Sequence, residues 1–210
     1  MQFHRGVERR CRSAAAGPAA ARRRGVGRAG DGERLRDLPP LDVAASDALA
    51  TEILGKRSWG RRRRSHRTGD LVRDVYPRDG EIAVAVYGDL IIAAYEDVSV
   101  EWTMEAVPDW GYPILQDHDV DAFVLHSVVS MGVFAFWRND ETVRVFGGAD
   151  RELFVDEGTP LPFEHGFDAE EDTYGSLTER AIFDRLGYSY EGPRSADGFD
   201  PASVPLLVYR

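Results

Sequence analysis

The sequence DAFVLHSVVSMGVFAFWRNDETVRVF, residues 121–146, decides the fold. It contains three runs rich in β-branched and aromatic residues, at 121–129, 131–137 and 142–146, and such runs are typical of β-strands. The first run has apolar residues on both faces, which is typical of a central strand. The third run alternates polar and apolar residues, which predicts that one face contacts water. Short strands in succession, joined by tight turns, predict an antiparallel sheet.

Two further parts of the sequence extend this sheet. Residues 81–87 and 90–95 are both strand-like, and the Gly-Asp dipeptide between them is typical of a tight two-residue hairpin turn. Residues 204–209 are predicted to form the last strand. Because proline has no N–H to donate to a strand ladder, Pro205 predicts that this strand lies at an edge of the sheet.

Helices are predicted at three places. Ser46 is a suitable N-cap for a helix over residues 47–54. Ser176 begins a capping box with a glutamate three residues later, and the apolar stripe that follows predicts a helix that ends at Gly187. Residues 98–107 are predicted to form a short third helix. The predicted fold is α+β, an antiparallel β-sheet meander with at least two helices packed on one face.

The chain of 210 residues has a formal net charge of -10, which is distributed unevenly. Residues 1–70 contain 17 basic and 8 acidic residues, a net +9, whereas residues 71–210 contain 9 and 28, a net -19. Residues 1–40 are rich in Arg and Ala and poor in core-forming residues, which predicts a disordered basic tail before the fold. A misread start is the alternative, because GC-rich DNA translated upstream of the true start has this composition. Residues 42–210 are predicted to form a single acidic α+β domain.

Composition excludes several classes of protein. Cys11 is the one cysteine of the chain, so a disulfide-stabilised scaffold is excluded. The sequence has no run of 18 apolar residues that could span a membrane as a helix, and its N-terminal region lacks the apolar stretch of a secretory signal. We therefore expect a cytoplasmic protein without a membrane partner.

The stretches LHSVV, FAFW, GTPLPFE and LGYSYEG occur in this order at residues 125–129, 134–137, 158–164 and 186–192. In these stretches the chain resembles a family of small uncharacterised proteins, a domain of unknown function that is common in GC-rich bacterial genomes. The resemblance covers about residues 46–192 and implies no particular activity. Members of that family begin with an apolar strand, whereas this chain has the Arg/Ala-rich tail there.

Five residues are candidates for a binding site. His126 lies in a predicted central strand, where it would serve as a general base or be hydrogen-bonded within the core. Phe163, Glu164 and His165 lie on a proline-rich loop, and functional residues are often found on such loops. Trp137 and Phe163 are predicted to lie on the same side of the sheet. Glu164 is then expected either at the rim of the core or as a cap of backbone amides.

No catalytic nucleophile, metal site or cofactor motif is recognised. His126 and Ser127 are adjacent in a predicted strand and therefore point to opposite faces, so they cannot pair as base and nucleophile. The acidic sequence DHDVD at residues 117–121 departs from a calcium loop at the positions of its glycine and its final glutamate. Phosphate-loop, dinucleotide and zinc motifs are absent from the sequence. We name no catalytic residue and expect no metal and no cofactor.

Residues 56–67 contain seven basic residues in twelve. This arginine run is either a surface for nucleic acid, with Trp59 available for stacking, or a loop whose arginines pair with acidic residues of the same protein. A domain of net charge -19 repels phosphate backbones, so nucleic acid is not the expected partner.

The acidic surface predicts a function in binding. Asp156, Glu157 and residues 168–172 are suited to a basic protein partner, because opposite charges accelerate encounter. The sequence thus favours a non-enzymatic binding or regulatory protein, such as an immunity-like protein against a basic toxin. The alternative is a small hydrolase-like enzyme that uses His126 with Glu164 or His165 in a pocket between Trp137 and Phe163.

Overall fold

The computed structural model of the protein describes residues 16–23, 35, 38–55, 66–78, 80–95, 118–139, 141–190 and 199–210. This part of the chain contains two α-helices, α1 (Val43–Gly55) and α2 (Tyr174–Leu186). It contains nine strands, which are β1 (Ala16–Arg23), β2 (His66–Asp70), β3 (Ile82–Tyr87), β4 (Leu90–Tyr95), β5 (His118–His126), β6 (Met131–Arg138), β7 (Glu141–Ala149), β8 (Glu152–Gly158) and β9 (Pro205–Tyr209). The predicted helix over 98–107 and most of the arginine run lie outside the described residues.

All nine strands join one antiparallel sheet in the order β2-β9-β3-β4-β1-β5-β6-β7-β8. Strands β5 to β8 follow one another in sequence and in space. β5, β6 and β7 are the predicted meander, and β8 is a further strand that the sequence analysis did not predict. The β3–β4 hairpin has the predicted two-residue turn, since Tyr87 pairs with Leu90 and Gly88 has a positive φ of 57°. The predicted α+β fold is therefore confirmed.

The sheet has an apolar core on each of its faces. The aromatic core lies on one face and includes Phe123, Phe134, Phe136, Phe146 and Leu206. The aliphatic core lies on the opposite face and includes Val84, Val124, Val133, Met131 and Leu207. Helix α2 packs in the aromatic core and α1 in the aliphatic core. The expectation that both helices share one face is wrong. Because the central strands are apolar on both faces, each face of the sheet must be shielded from water by other parts of the chain.

Helix α1 begins earlier than predicted, at Val43. Asp42 is its cap, because its Oδ1 accepts a hydrogen bond from the backbone N–H of Ala45 at 2.9 Å. The predicted cap, Ser46, lies inside the helix and accepts a hydrogen bond from the backbone N–H of Val86 at 3.0 Å. Ser46 thus joins α1 to β3 instead of starting the helix.

Helix α2 also begins earlier than predicted, at Tyr174. Thr173 caps it by accepting a hydrogen bond from the backbone N–H of Ser176 at 3.1 Å. The helix ends at Gly187 as predicted, where φ is 77°. A Cβ atom built on Gly132 of β6 would lie 2.2 Å from the carbonyl oxygen of Tyr174, so this glycine permits the first turn of α2 to approach the sheet closely.

Residues 16–23 differ from the expected disordered tail. They form β1, which lies between β4 and β5 and pairs antiparallel with both. A strand inside a sheet has backbone hydrogen-bond partners on both sides, and these offset the lack of large apolar residues. β1 thereby joins the four strands β2-β9-β3-β4 to the four strands β5-β6-β7-β8.

Strand β9 is not an edge strand, since it lies between β2 and β3. Pro205 is its first residue and pairs with Asp70 of β2, whereas β3 pairs only with residues 207–209. Pro205 therefore lies outside the β3 ladder, and its carbonyl oxygen accepts a hydrogen bond from the Tyr87 hydroxyl. The edge prediction is wrong because a proline at the start of a strand does not interrupt an interior ladder.

Candidate functional site

Arg144 on β7 is a buried cation with a side chain only 1% exposed. Its Nε donates to Oε1 of Glu164 at 2.9 Å, and its Nη2 donates to Oε2 of the same carboxylate at 2.6 Å. Its Nη1 donates to Oδ1 of Asp156 at 2.6 Å. Burial disfavours the charged guanidinium, but hydrogen bonds to Glu164 and Asp156 outweigh this effect and raise the pKa of Arg144 above its ordinary value. We call Arg144, Asp156 and Glu164 the Arg144 cluster. It joins β7, β8 and the loop that follows β8.

The prediction that one face of residues 142–146 contacts water is wrong at two positions. Arg144 and Phe146 are both buried. Arg144 pairs with Phe136 across the β6–β7 ladder and therefore points towards the aromatic core, where its guanidinium carbon lies 4.8 Å from the ring centroid of Phe146. Alternation alone does not distinguish a solvated arginine from one that is buried with its counterions.

Glu164 anchors the proline-rich loop instead of facing an open site. Its side chain is 7% exposed. Oε1 accepts a hydrogen bond from the backbone N–H of Leu161 at 2.8 Å, in addition to the one from Arg144. The sequence allowed Glu164 to be a rim group or a cap of backbone amides, and the geometry agrees with the cap. The sequence did not indicate its main partner, Arg144, because a pairing over 20 positions leaves no local pattern.

Phe163 packs against the aromatic core from the same loop. Its ring centroid lies 5.2 Å from that of Phe134 and 6.2 Å from that of Phe136, with edge-to-face geometry in both cases. The residue is half-buried, whereas the neighbouring His165 is exposed. Of these two predicted site residues, only His165 is fully accessible.

His126 and Trp137 lie on the other face of the sheet. His126 pairs with Met131, a residue of the aliphatic core, and Trp137 packs against the same core. The two residues are at opposite ends of the β5–β6 hairpin, and both are half-buried. The expectation that Trp137 and Phe163 lie on the same side of the sheet is wrong, because Trp137 follows Phe136 in the strand and faces the opposite way.

The five predicted residues therefore do not form one pocket. His126 and Glu164 lie on opposite faces of the sheet, so the structure does not bring together one of the two pairs that the hydrolase-like alternative uses, the other being His126 with His165. Two clefts of about 600 and 640 Å³ lie near β9, one beside the Tyr87 hydroxyl and one beside β2. None of the five residues lines either cleft.

Exposed carboxylates cluster at the β8 end of the sheet. We call this surface the acidic edge, and it comprises Glu152, Asp156 and Glu157 of β8 together with Asp168, Glu170 and Glu171 of the following loop. The two parts are neighbours, because Nη1 of Arg151, the residue just before β8, lies 3.9 Å from Oε2 of Glu170. Residues 141–190 contain 12 carboxylates and four arginines, a net charge of -8. Such a charge favours cations at this surface.

Asp121, which lies outside the acidic edge, is neutralised within the protein. Asp121 lies between Arg138 and Arg185, at 2.6 and 3.0 Å respectively, and its side chain is half-buried. In contrast, Glu152 and Glu157 form no ion pair with any residue that the structure describes. Asp121 is therefore compensated by two arginines, whereas Glu152 and Glu157 of the acidic edge are exposed and have no ion pair among the described residues.

The described end of the arginine run pairs with the protein's own acidic residues. Arg67 on β2 lies 2.6 Å from Asp74 and 3.6 Å from Glu81, and both carboxylates are largely buried. The hydrogen bond to Asp74 raises the pKa of Arg67. At this position the structure agrees with the second interpretation of the run, an arginine paired with the same protein.

A protein-family model matches residues 29–209 of the chain. The chain belongs to DUF6928, a family of unknown function. The resemblance recognised in the sequence is therefore confirmed. The matched DUF6928 region contains α1, α2 and eight of the nine strands, and it begins after β1. No curated protein and no solved structure matches the chain. Neither helix of the described DUF6928 fold is long and apolar enough to cross a membrane.

Proposed function

We propose that the protein is a cytoplasmic, non-enzymatic binding protein that recognises a basic protein through its acidic edge. An immunity-like role against a basic toxin is a concrete form of this function. The observation that carries the proposal is the exposure of Glu152, Asp156 and Glu157 along β8, the last strand of the sheet.

Electrostatics supports the proposal in two ways. A net charge of -8 over residues 141–190 attracts cationic partners over a distance of about one Debye length, roughly 8 Å at physiological salt. The carboxylates also lie on a regular strand and on a loop that the Arg144 cluster fixes. A rigid surface loses less conformational entropy on binding than a mobile one.

The separation of the candidate catalytic residues also favours binding over hydrolysis. A general base and its carboxylate partner need to lie within hydrogen-bond distance of each other. His126 is on the aliphatic face, while Glu164 is saturated by Arg144 and by a backbone amide on the aromatic face. Neither residue is arranged to activate a nucleophile with the other.

The proposal is tested with an oligoarginine peptide as the probe, titrated into the full-length protein and followed by fluorescence anisotropy. We expect salt-sensitive binding that weakens in Glu152→Gln/Glu157→Gln. Since an exposed ion pair contributes about 0.2–1 kcal/mol, the loss of two should raise the Kd by a factor of about two to thirty.

A matched control removes two carboxylates at other places, in Glu52→Gln/Asp89→Asn. This variant has the same net charge as the first but keeps the acidic edge. Equal weakening by both variants would mean that overall charge, and not the acidic edge, attracts the peptide. Absence of binding at low salt would contradict the proposal altogether.

A further inference from the structure

Strand β8 (Glu152–Gly158) ends the sheet and has one side without a strand partner among the described residues. It pairs with β7 alone, and beyond that ladder no backbone N–H of β8 donates a hydrogen bond to any described residue. Outward N–H and C=O groups of an edge strand can pair with an extended segment of another molecule. At seven residues, β8 is also longer than the usual strand of about 5–6 residues.

The Arg144 cluster fixes β8 near its C-terminal end. Nη1 of Arg144 donates to Oδ1 of Asp156 at 2.6 Å and to the carbonyl oxygen of Glu157 at 3.1 Å. Because this carbonyl already accepts a hydrogen bond, we expect backbone pairing with a partner to run along residues 152–156, with Glu157 at its end. A strand that is fixed before binding loses less conformational entropy than a mobile one.

The side chains of β8 differ between the two faces of the sheet. Glu152 and Glu157 pair with Ala149 and Val145 of β7, which are four positions apart in one strand and therefore lie on the same face. Neither glutamate forms an ion pair with a described residue. Leu153 follows Glu152 in the strand and lies on the other face, where its side chain is 49% exposed. β8 thus offers carboxylates on one face and an apolar side chain on the other.

From this arrangement we propose that the basic partner adds an extended segment to β8, and that arginine or lysine alternates with apolar residues in that segment. Its basic side chains lie beside Glu152 and Glu157, and its apolar side chains lie beside Leu153. The inference rests on the proposed function and deepens it, because it states how the acidic edge holds a basic protein.

Charge argues against a second copy of this chain as the occupant. In an antiparallel contact between two β8 strands, Glu152 of one copy would lie opposite Glu157 of the other, and like charges directly opposite are destabilising. Strand β2 of a second copy is not suited either, because its Arg67 is already paired with Asp74 and Glu81. The expected occupant is therefore a different, basic protein.

The probe is a hexapeptide of alternating arginine and valine, titrated into the full-length protein and followed by fluorescence anisotropy. The control peptide has the same sequence with a methyl group on every backbone nitrogen, which keeps the charge and removes the N–H donors. Since the added strand depends on backbone hydrogen bonds, we expect the methylated peptide to bind at least about fivefold more weakly. Equal affinity of the two peptides would overturn the inference.

A substitution at Leu153 tests the apolar face. Leu153→Gln should weaken binding of the arginine–valine peptide by about twofold to fivefold and leave binding of oligoarginine unchanged, because only the first peptide has a valine to place beside it. Val43→Gln is the matched control, since Val43 is 44% exposed and lies on α1, which is bonded to β3 in the other half of the sheet. Equal weakening by both variants would contradict a contact at Leu153.

Amide hydrogen exchange, measured by nuclear magnetic resonance on the full-length protein, reports the added strand directly. In a strand that pairs on both sides, the outward amides of residues 152–156 enter hydrogen bonds. We expect alternate amides of this stretch to exchange about tenfold more slowly or less with saturating arginine–valine peptide. Unchanged exchange along β8 in the saturated complex would overturn the inference.

The outcomes separate this inference from the proposed function. If oligoarginine and both hexapeptides bind with equal affinity and Glu152→Gln/Glu157→Gln weakens all three, the added strand is overturned and the proposed function stands. If none of the peptides binds at low salt, both are overturned.

Discussion

Arg144 and Glu164 lie 20 positions apart and meet as a bidentate ion pair beneath the loop that follows β8, with Nε–Oε1 and Nη2–Oε2 distances of 2.9 and 2.6 Å. Both side chains are buried, at 1% and 7% exposure. A buried pair of this kind contributes little when compared with two apolar residues, but the loss of one partner leaves an uncompensated charge in the interior. The pair therefore determines where the loop lies.

The first prediction concerns Glu164→Gln. The substitution removes the negative charge that compensates Arg144, although Asp156 remains. We expect the free energy of unfolding in urea to fall by about 2–4 kcal/mol. Asp156→Asn is the matched control, since the Asp156 side chain is 52% exposed and its pairing is screened by water. A smaller loss for Glu164→Gln than for Asp156→Asn would show that the buried pair is not what holds the loop.

A second prediction concerns the packing of Phe163. Phe163→Ala removes a half-buried ring from contact with Phe134 and Phe136. We expect a loss of about 2–3 kcal/mol in urea unfolding, below the roughly 3–5 kcal/mol of a fully buried aromatic residue. Phe183→Ala on α2 is the control, because that side chain is 42% exposed and should cost under about 1 kcal/mol. Equal and small losses would mean that Phe163 is mobile.

The third prediction separates β1 from the residues before it. Deletion of residues 1–15 should leave the melting temperature nearly unchanged, whereas deletion of residues 1–24 should lower the free energy of unfolding by more than about 3 kcal/mol or prevent folding. The second deletion leaves the facing backbone groups of β4 and β5 without partners. Thermal unfolding of both truncated chains measures the difference. Equal melting temperatures would show that β1 contributes no stability.

The fourth prediction concerns high pH. Burial raises the pKa of Tyr87 from 10.0 to about 12, and burial also raises the pKa values of Tyr188 and Tyr209. The unfolded chain therefore releases these protons at lower pH than the folded protein. The contribution of these tyrosines to the free energy of unfolding should be fully present below about pH 10 and should be lost as the pH rises towards about 12.

Urea unfolding at about pH 9 and about pH 11 tests this expectation. Tyr87→Phe should be less stable at the lower pH, because it loses the hydrogen bond to Pro205, but should lose less stability between the two pH values. An identical pH dependence in the wild type and the variant would exclude Tyr87 as a source of the alkaline instability.

The sequence alone determined those features that local patterns encode. The alternation and turn residues of 81–95 and 121–146 predicted the hairpin and the meander, because strand period and turn chemistry are properties of adjacent residues. The end of α2 at Gly187 was predicted for the same reason, because glycine readily adopts the left-handed conformation that ends a helix. The uneven charge was also readable from the sequence, since most of these side chains lie at the surface wherever the chain folds.

Tertiary structure decided everything that depends on contacts between distant residues. It placed β1 and β9 inside the sheet, assigned Trp137 and Phe163 to opposite faces, and buried Arg144 against Glu164. Each of these outcomes depends on a backbone or charge partner that is far away in the sequence. Local secondary-structure propensity and hydrophobic periodicity therefore do not predict it. The acidic edge along β8 exists only once all nine strands are in order, because their order places β8 at one end of the sheet.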